Sequence, residues 1–225
     1  MKLILIGPGQ LGTHLMHAAA GERLAIGEDA GQTQAFAEAQ GCAWSLDLRD
    51  AADGDVIAAA VPAGATPAVL EAVAGCVKPG AVVLNFATAC DIAPALRERR
   101  PDVHWLEAKM AGSAVGMAHG LQSAIVLGPE ADEALLAQVR AALPGLADSF
   151  LPGDPSIVSA VNTLSTEAAL RAAITVKKEL AARGVPQTVI DAAVGCGLPG
   201  TAISFQRGTL GAFARNIVHK LENEG

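Results

Sequence analysis

A glycine-rich hexapeptide near the beginning of the sequence has the residue types and spacing of a phosphate-binding turn. Residues 7–12 read GPGQLG, the pattern G-x-G-x-x-G, after the apolar run 2–6 and before a segment with helical periodicity. In such a turn the first glycine permits a tight bend, the second lets backbone amides approach a pyrophosphate, and the third lets the helix pack closely on the strand. We therefore predict a dinucleotide site whose contacts include Gly7, Gly9, Gln10, Leu11 and Gly12.

Two acidic residues follow the second apolar run of the sequence. Glu28 and Asp29 lie about 20 residues beyond the glycines, where a carboxylate accepts hydrogen bonds from the adenosine ribose. Two carboxylates repel the 2′-phosphate of NADP, so NAD is the expected cofactor and Glu28 the expected ribose ligand. NADP is the less favoured alternative, because Gln32, Thr33 or an arginine from elsewhere in the chain would also hold a phosphate.

Short apolar runs alternate with segments of helical periodicity up to about residue 150. The predicted strands are 2–6, 23–27, 55–61, 81–86, 103–106 and 123–127, and the predicted helices are 11–20, 33–40, 67–77, 92–99 and 131–143. This alternation predicts an α/β fold, a Rossmann doubly wound parallel sheet with helices on both faces. No strand is predicted after Phe150, and helices are expected over 156–183, 186–194 and 201–221. The expected domains are 1–150, which binds the dinucleotide, and 151–225, a small all-helical domain for substrate binding and dimerisation.

Composition narrows the function classes further. The chain has 225 residues, of which 51% are hydrophobic and 17% charged, as in a packed globular protein. Its formal charge of -7 opposes nucleic-acid binding, and the complete absence of tyrosine excludes the Tyr/Lys chemistry of short-chain dehydrogenases. The four cysteines lack zinc-binding spacing, so no metal site is predicted. Glycines and prolines interrupt the apolar stretches, so we expect no membrane span and a cytoplasmic location.

Several segments of the sequence resemble one superfamily of dehydrogenases. Besides the glycine turn, they are the strand end Ala60-Val61-Pro62, residues 107–128 (EAKMAGSAVGMAHGLQSAIVLG) and residues 159–165 (SAVNTLS). They look like the 6-phosphogluconate dehydrogenase-like superfamily, especially pyrroline-5-carboxylate reductase and the β-hydroxyacid dehydrogenases. The resemblance implies a Rossmann domain with a helical C-terminal domain and an NAD(P) cofactor, and it adds Val61 and Pro62 to the expected cofactor contacts.

The sequence also departs from both members of this superfamily. With the helix aligned on Asn162, Ser159 stands where β-hydroxyacid dehydrogenases carry their catalytic lysine. The S-G-S-G-P-A motif of the reductase is absent, because Thr166 and Glu167 follow Ser165. The fold and the cofactor therefore transfer from the resemblance, and the substrate does not.

Three residues are candidates for the chemistry of a nicotinamide enzyme, which needs a proton donor beside the hydride acceptor. Lys109 follows the predicted strand 103–106, where it would donate a proton, bind a substrate carboxylate or lie exposed in a loop. His119 competes for the proton-donating role, because imidazole changes charge near neutral pH, or it is a solvated loop histidine. Asn162 is expected to contact the substrate and the nicotinamide amide.

These observations favour a dimeric NAD(P)-dependent oxidoreductase that transfers a hydride to or from a small carbonyl, hydroxy-acid or imine substrate. Dimerisation is expected through the C-terminal helices, with no nucleic-acid or membrane partner. The alternative is a catalytically inactive module that binds a dinucleotide for regulation or redox sensing. A third alternative is a structural Rossmann-like domain without a ligand.

Overall fold

A computed structural model describes residues 1–223 of the chain, which divides into two compact units. The first unit is Met1–Asn162 and the second begins at Thr163. This division by contacts falls within a long helix, a little beyond residue 150. The assignment of separate functions to residues 1–150 and 151–225 stays a prediction.

Eight strands form one sheet in the first unit, in the order β3-β2-β1-β4-β5-β6-β7-β8. The strands are β1 Lys2–Ile6, β2 Glu22–Ile26, β3 Ala43–Ser45, β4 Val56–Ala59, β5 Val82–Asn85, β6 His104–Ala111, β7 Ala124–Leu127 and β8 Phe150–Pro152. All neighbouring strands are parallel except β6 and β7, which pair antiparallel. The strand order turns back between β1 and β4, as in a doubly wound sheet, so the predicted Rossmann fold class is confirmed.

Six helices connect these strands, and four more follow them. The first six are α1 Gln10–Ala18, α2 Ala30–Gln40, α3 Thr66–Cys76, α4 Pro94–Arg99, α5 Ala114–Ala118 and α6 Glu133–Ala142. The others are α7 Ile157–Ala182, α8 Gln187–Ala192, α9 Leu198–Gln206 and α10 Ala212–Asn223, and a π-helical turn, Ala193–Gly197, joins α8 to α9. Short 3-10 helices lie at Leu48–Ala51 and Pro144–Ser149.

Three expectations about these elements were wrong. β8 is a strand beyond the last one predicted, because its three residues pair with β7 at the sheet edge rather than forming a long apolar run. The predicted break at residues 195–200 is helical in the structure. The predicted helix 201–221 is two helices, because Gly208 has a φ of 67°, a left-handed conformation that ends α9.

Apolar side chains cover both faces of the sheet. Along β1, Leu3 and Leu5 belong to the cluster that packs with α1, whereas Ile4 and Ile6 belong to the cluster that packs with α3. Successive residues of a strand point to opposite faces, so a strand buried on both sides has a continuous apolar sequence. This explains why the run 2–6 was recognisable as a central strand.

The two tryptophans occupy different environments. Trp105 is buried in the core, as expected. Trp44, although tryptophan is by default a core residue, has an exposed fraction of 40%. The reason is its position on β3, an edge strand of three residues.

One stretch of the described chain, Gln187–Gln206, has the length and composition of a membrane-spanning helix. It has 20 residues and a mean hydropathy of 1.3, and only 6% of it is buried. Core helices of soluble proteins have the same length and composition, so these two features alone do not establish a membrane span. The expectation that the chain has no membrane partner stays a prediction.

Close backbone contacts join β1, α1 and the end of β4. Gly7 has a φ of 100°, and a Cβ atom at this position would overlap the carbonyl oxygen of Ala60. A Cβ at Gly12 would overlap the carbonyl oxygen of Gly7. A Cβ at Gly9 would meet no atom within 4 Å, and Gly9 has a φ of -101° that any residue adopts. Two glycines of the turn are thus required by packing, and the third is not.

We predict that Gly7→Ala lowers the free energy of unfolding by about 2 to 4 kcal/mol, because it adds both a strained φ and an overlap with backbone. Gly9→Ala is the matched control and is expected to change stability by less than about 1 kcal/mol. Urea denaturation monitored by circular dichroism measures both values. Equal stability of the two variants would contradict the packing role assigned to Gly7.

Candidate functional site

A cavity of about 510 Å³ lies at the carboxyl ends of β1, β2 and β4. This is where the strand order turns back, which is the usual ligand position in an open parallel sheet. Five of the eight predicted cofactor contacts line it: Gly7, Gly9, Glu28, Val61 and Pro62. The other three, Gln10, Leu11 and Gly12, form the first turn of α1.

The first turn of α1 offers backbone amides to an anion. Gly9 caps the helix in an extended conformation, and no side chain makes a capping hydrogen bond there. The first amides of a helix have no partner within the helix, and the helix dipole adds positive potential at this end. A pyrophosphate beside Gly9 would accept hydrogen bonds from the amides of Gln10 and Leu11.

The two acidic residues that follow β2 have different structural roles. Asp29 caps α2: its Oδ1 atom accepts a hydrogen bond of 2.7 Å from the amide of Gln32. Its carbonyl oxygen accepts a hydrogen bond from the Thr33 hydroxyl at 2.6 Å. Glu28 is exposed and lines the cavity. Asp29, which also lines the cavity, therefore fixes the start of α2, whereas Glu28 caps no helix.

Lys109 lies in the interior of the sheet, so the expectation that it follows the strand in a loop was wrong. It belongs to β6, which continues to Ala111, and its side chain is 3% exposed. Its Nζ atom lies 2.8 Å from Glu107 Oε2 and 3.3 Å from Asp91 Oδ1. It also donates to the carbonyl oxygens of Cys90, at 2.7 Å, and Ala87. This ammonium is surrounded by oxygen atoms of the protein.

Two buried partners of this lysine were missed by sequence reasoning. The Nδ2 atom of Asn85, at the end of β5, donates to Glu107 Oε2 at 2.8 Å and to the Cys90 carbonyl at 2.7 Å. The second carboxylate oxygen of Glu107 accepts from the amide of Ile92 at 2.5 Å. The sequence did contain a sign of these partners. Asn85 is a polar residue within the apolar run 81–86, and Glu107 directly follows the run 103–106.

The two remaining chemical candidates lie on different elements. Asn162, near the start of α7, makes two hydrogen bonds to the backbone with its side-chain amide. Its Oδ1 atom accepts from the Gly112 amide at 3.1 Å, and its Nδ2 atom donates to the Met110 carbonyl at 2.9 Å. It therefore ties the helix to the end of β6, the strand that contains Lys109. His119 is exposed at the C-terminal end of α5.

No protein-family profile and no curated protein sequence matches the chain. Solved structures do match. A pyrroline-5-carboxylate reductase from Coxiella burnetii is 14% identical, with a TM-score of 0.71 over 99% of this chain and 90% of its own. A 3-hydroxyisobutyrate dehydrogenase from Mycobacterium tuberculosis is 16% identical, with a TM-score of 0.62 over 87% and 70%.

An imine reductase from Myxococcus stipitatus, in complex with NADP+, is 16% identical with a TM-score of 0.66 over 94% of this chain and 79% of its own. A variant of an imine reductase from the same organism was solved with NAD+. The chain thus has the fold of these dehydrogenases and reductases, as the resemblance in its sequence implied. At these identities the likeness defines the fold and leaves the substrate open.

We predict that Asp29→Ala lowers the free energy of unfolding by about 1 kcal/mol, because it removes the cap of α2. Glu28→Ala is the matched control: removal of this exposed carboxylate is expected to change stability by less than about 0.5 kcal/mol. Thermal or urea unfolding of both variants measures the difference. A larger loss for Glu28→Ala than for Asp29→Ala would contradict the division of roles.

Proposed function

We propose that the chain is an NAD(P)-dependent oxidoreductase that transfers a hydride to or from a small carbonyl, hydroxy-acid or imine substrate. The observation that supports this most directly is the cavity at the turning point of the sheet, where the uncapped start of α1 and the exposed Glu28 lie together. These groups match the pyrophosphate and the ribose of a dinucleotide. The fold shared with dehydrogenases and reductases supports the same class of reaction.

NAD is the proposed cofactor. The residues that line the cavity include two carboxylates, Glu28 and Asp29, and no lysine or arginine. A 2′-phosphate at this place would lie near negative charge without a cation to bind it. One imine reductase structure contains NADP+ and the other NAD+, so the fold accommodates both cofactors. We expect local residues such as Glu28 to decide between them in this chain.

The chain's own residues must bind the substrate and deliver a proton, whereas the bound nicotinamide supplies or accepts the hydride. Of the three candidates, Lys109 is enclosed by protein oxygens and Asn162 is bonded to the backbone of β6. His119 is exposed at the end of α5, and histidine is the side chain that most often serves as a general acid. We therefore assign the proton-donating role to His119 and a supporting role to Asn162.

A second candidate function is a regulatory or redox-sensing module that binds a dinucleotide without turnover. Ser159 favours it, because it occupies the place where the resembled β-hydroxyacid dehydrogenases carry a catalytic lysine. Such a module would bind the cofactor, leave hydroxy acids and cyclic imines unchanged, and alter its assembly or partner affinity instead.

The C-terminal helices are the proposed dimer interface. On α10, Phe213, Ile217 and Leu221 follow one another at the i, i+4 spacing of a single helix face. Their exposed fractions are 81%, 43% and 65%. Apolar helix faces of this kind are stabilised by burial against another apolar surface. A second copy of the chain would provide that surface and would also cover the exposed apolar stretch Gln187–Gln206.

We predict that calorimetry will detect NADH binding, with NADPH weaker by about tenfold or more because of charge repulsion at Glu28. Gly9→Ala is expected to abolish binding of both cofactors, because its methyl group occupies the open space beside the turn. Glu28→Ala is expected to lower the affinity for NADH and to reduce the ratio of NADH affinity to NADPH affinity. Absence of binding by the wild type would contradict the proposal. Binding without turnover across a panel of hydroxy acids and cyclic imines would favour the regulatory module.

We also predict a homodimer at micromolar concentration, which sedimentation velocity measures directly. Phe213→Glu is expected to shift the protein to monomer, since burial of a charge in an apolar interface is strongly unfavourable. Lys220→Glu on the same helix controls for a change of charge alone. A wild-type protein that sediments as a monomer would overturn the proposed interface.

A further inference from the structure

Two charged side chains of the described chain are buried, and they form an ion pair with each other. Glu107 and Lys109 are 8% and 2% exposed, and their charged atoms lie 2.8 Å apart. They are alternate residues of β6 and so lie on the same face of the strand. Removing two charges from water is costly, and their attraction compensates only when further hydrogen bonds satisfy the remaining polar atoms. The additional partners therefore indicate what the pair holds in place.

Those partners lie in one segment, residues 87–91 after β5, which we call the β5 loop. The ammonium of Lys109 contacts three oxygen atoms of this loop: the carbonyls of Ala87 and Cys90 and the carboxylate of Asp91. Asn85 and Glu107 complete the enclosure, because Asn85 accepts from the Ala87 amide at 3.0 Å and donates to the Cys90 carbonyl. Both ends of the loop are thereby fixed to buried polar groups.

The β5 loop lies at the same edge of the sheet as the candidate cofactor site. It begins at the carboxyl end of β5, and β5 pairs with β4, whose continuation Val61-Pro62 lines the cavity. The amide of Phe86, just before the loop, donates to the carbonyl of Ala59 at 3.0 Å. In a doubly wound sheet the two halves of a dinucleotide lie on opposite sides of the turning point. With the adenosine at Glu28 beyond β1, the nicotinamide half would extend toward the ends of β4 and β5.

We infer that Lys109 is a positioning residue: its ammonium, held within four oxygen atoms, fixes the β5 loop at the height that the nicotinamide half of the cofactor requires. This inference rests on the proposed function. It replaces the proton-donating role considered for Lys109, because an ammonium that is 3% exposed and bonded to protein oxygens holds its partners together. The adenosine half depends on β1, α1 and Glu28, and so does not require the lysine.

The test compares two ligands that share the adenosine half. NADH and ADP-ribose are titrated calorimetrically into wild type and Lys109→Ala. The variant is expected to lose about tenfold or more in affinity for NADH and to keep its affinity for ADP-ribose within about twofold. Added n-propylammonium, which replaces the missing methylenes and ammonium, is expected to restore NADH affinity. Lys78→Ala, which removes a lysine paired with Asp55 at the amino ends of β4 and β5, opposite the β5 loop, should change the affinity for neither ligand.

A second variant covers the case in which Lys109→Ala fails to fold, since it leaves Glu107 buried without its cation. The double substitution Glu107→Gln with Lys109→Met removes both charges at similar volume. It is expected to fold, to lose NADH affinity selectively and to gain nothing from n-propylammonium.

Equal weakening of NADH and ADP-ribose, or unchanged NADH affinity in both variants, would overturn the inference. Failure of the wild type to bind either ligand would overturn the proposed function, and the inference with it, before any variant is measured.

Discussion

The approach of two backbones at the start of the chain is the constraint on which the candidate site depends. A side chain at Gly12 would overlap the carbonyl oxygen of Gly7, and one at Gly7 would overlap the carbonyl of Ala60. Because both positions lack side chains, α1 begins directly at the end of β1 and beside β4. Its uncapped amides are then directed to the point where the strand order turns back. Packing thus leaves the first backbone amides of α1 without a side-chain cap at this edge of the sheet.

Polar side chains around this edge of the sheet divide between structure and ligand binding. Asp29 caps α2, whereas Glu28 is the carboxylate of the pair that caps no helix. Further along the edge, Lys109 and Glu107 neutralise each other while they hold the loop after β5. A buried ion pair with complete hydrogen bonding contributes little net stability, but it allows few alternative arrangements of its partners. Such rigidity suits a site that must place a reactive ring accurately.

Much of the fold was predictable from the sequence because central parallel strands have a distinctive pattern. The run Lys2–Ile6 predicted the first strand. The glycine turn after it predicted the start of the first helix and the edge of the sheet at which the candidate site lies. The position of Lys109 was not predictable by the same rule, because an apolar run stops at Glu107 although the strand continues through both charges. The sequence also did not predict that β7 runs antiparallel to β6. The direction of β7 depends on the short connection that contains α5. The position of Lys109 and the direction of β7 depend on contacts between residues far apart in the sequence.

A crystal structure of the protein with NADH would show directly which residues bind the dinucleotide. We expect the pyrophosphate within hydrogen-bond distance of the amides of Gln10 and Leu11, the adenosine ribose hydroxyls on the carboxylate of Glu28, and the nicotinamide ring over the ends of β4 and β5. Electron density for the dinucleotide at another surface, or a ribose bound by Asp29 instead of Glu28, would contradict this expectation.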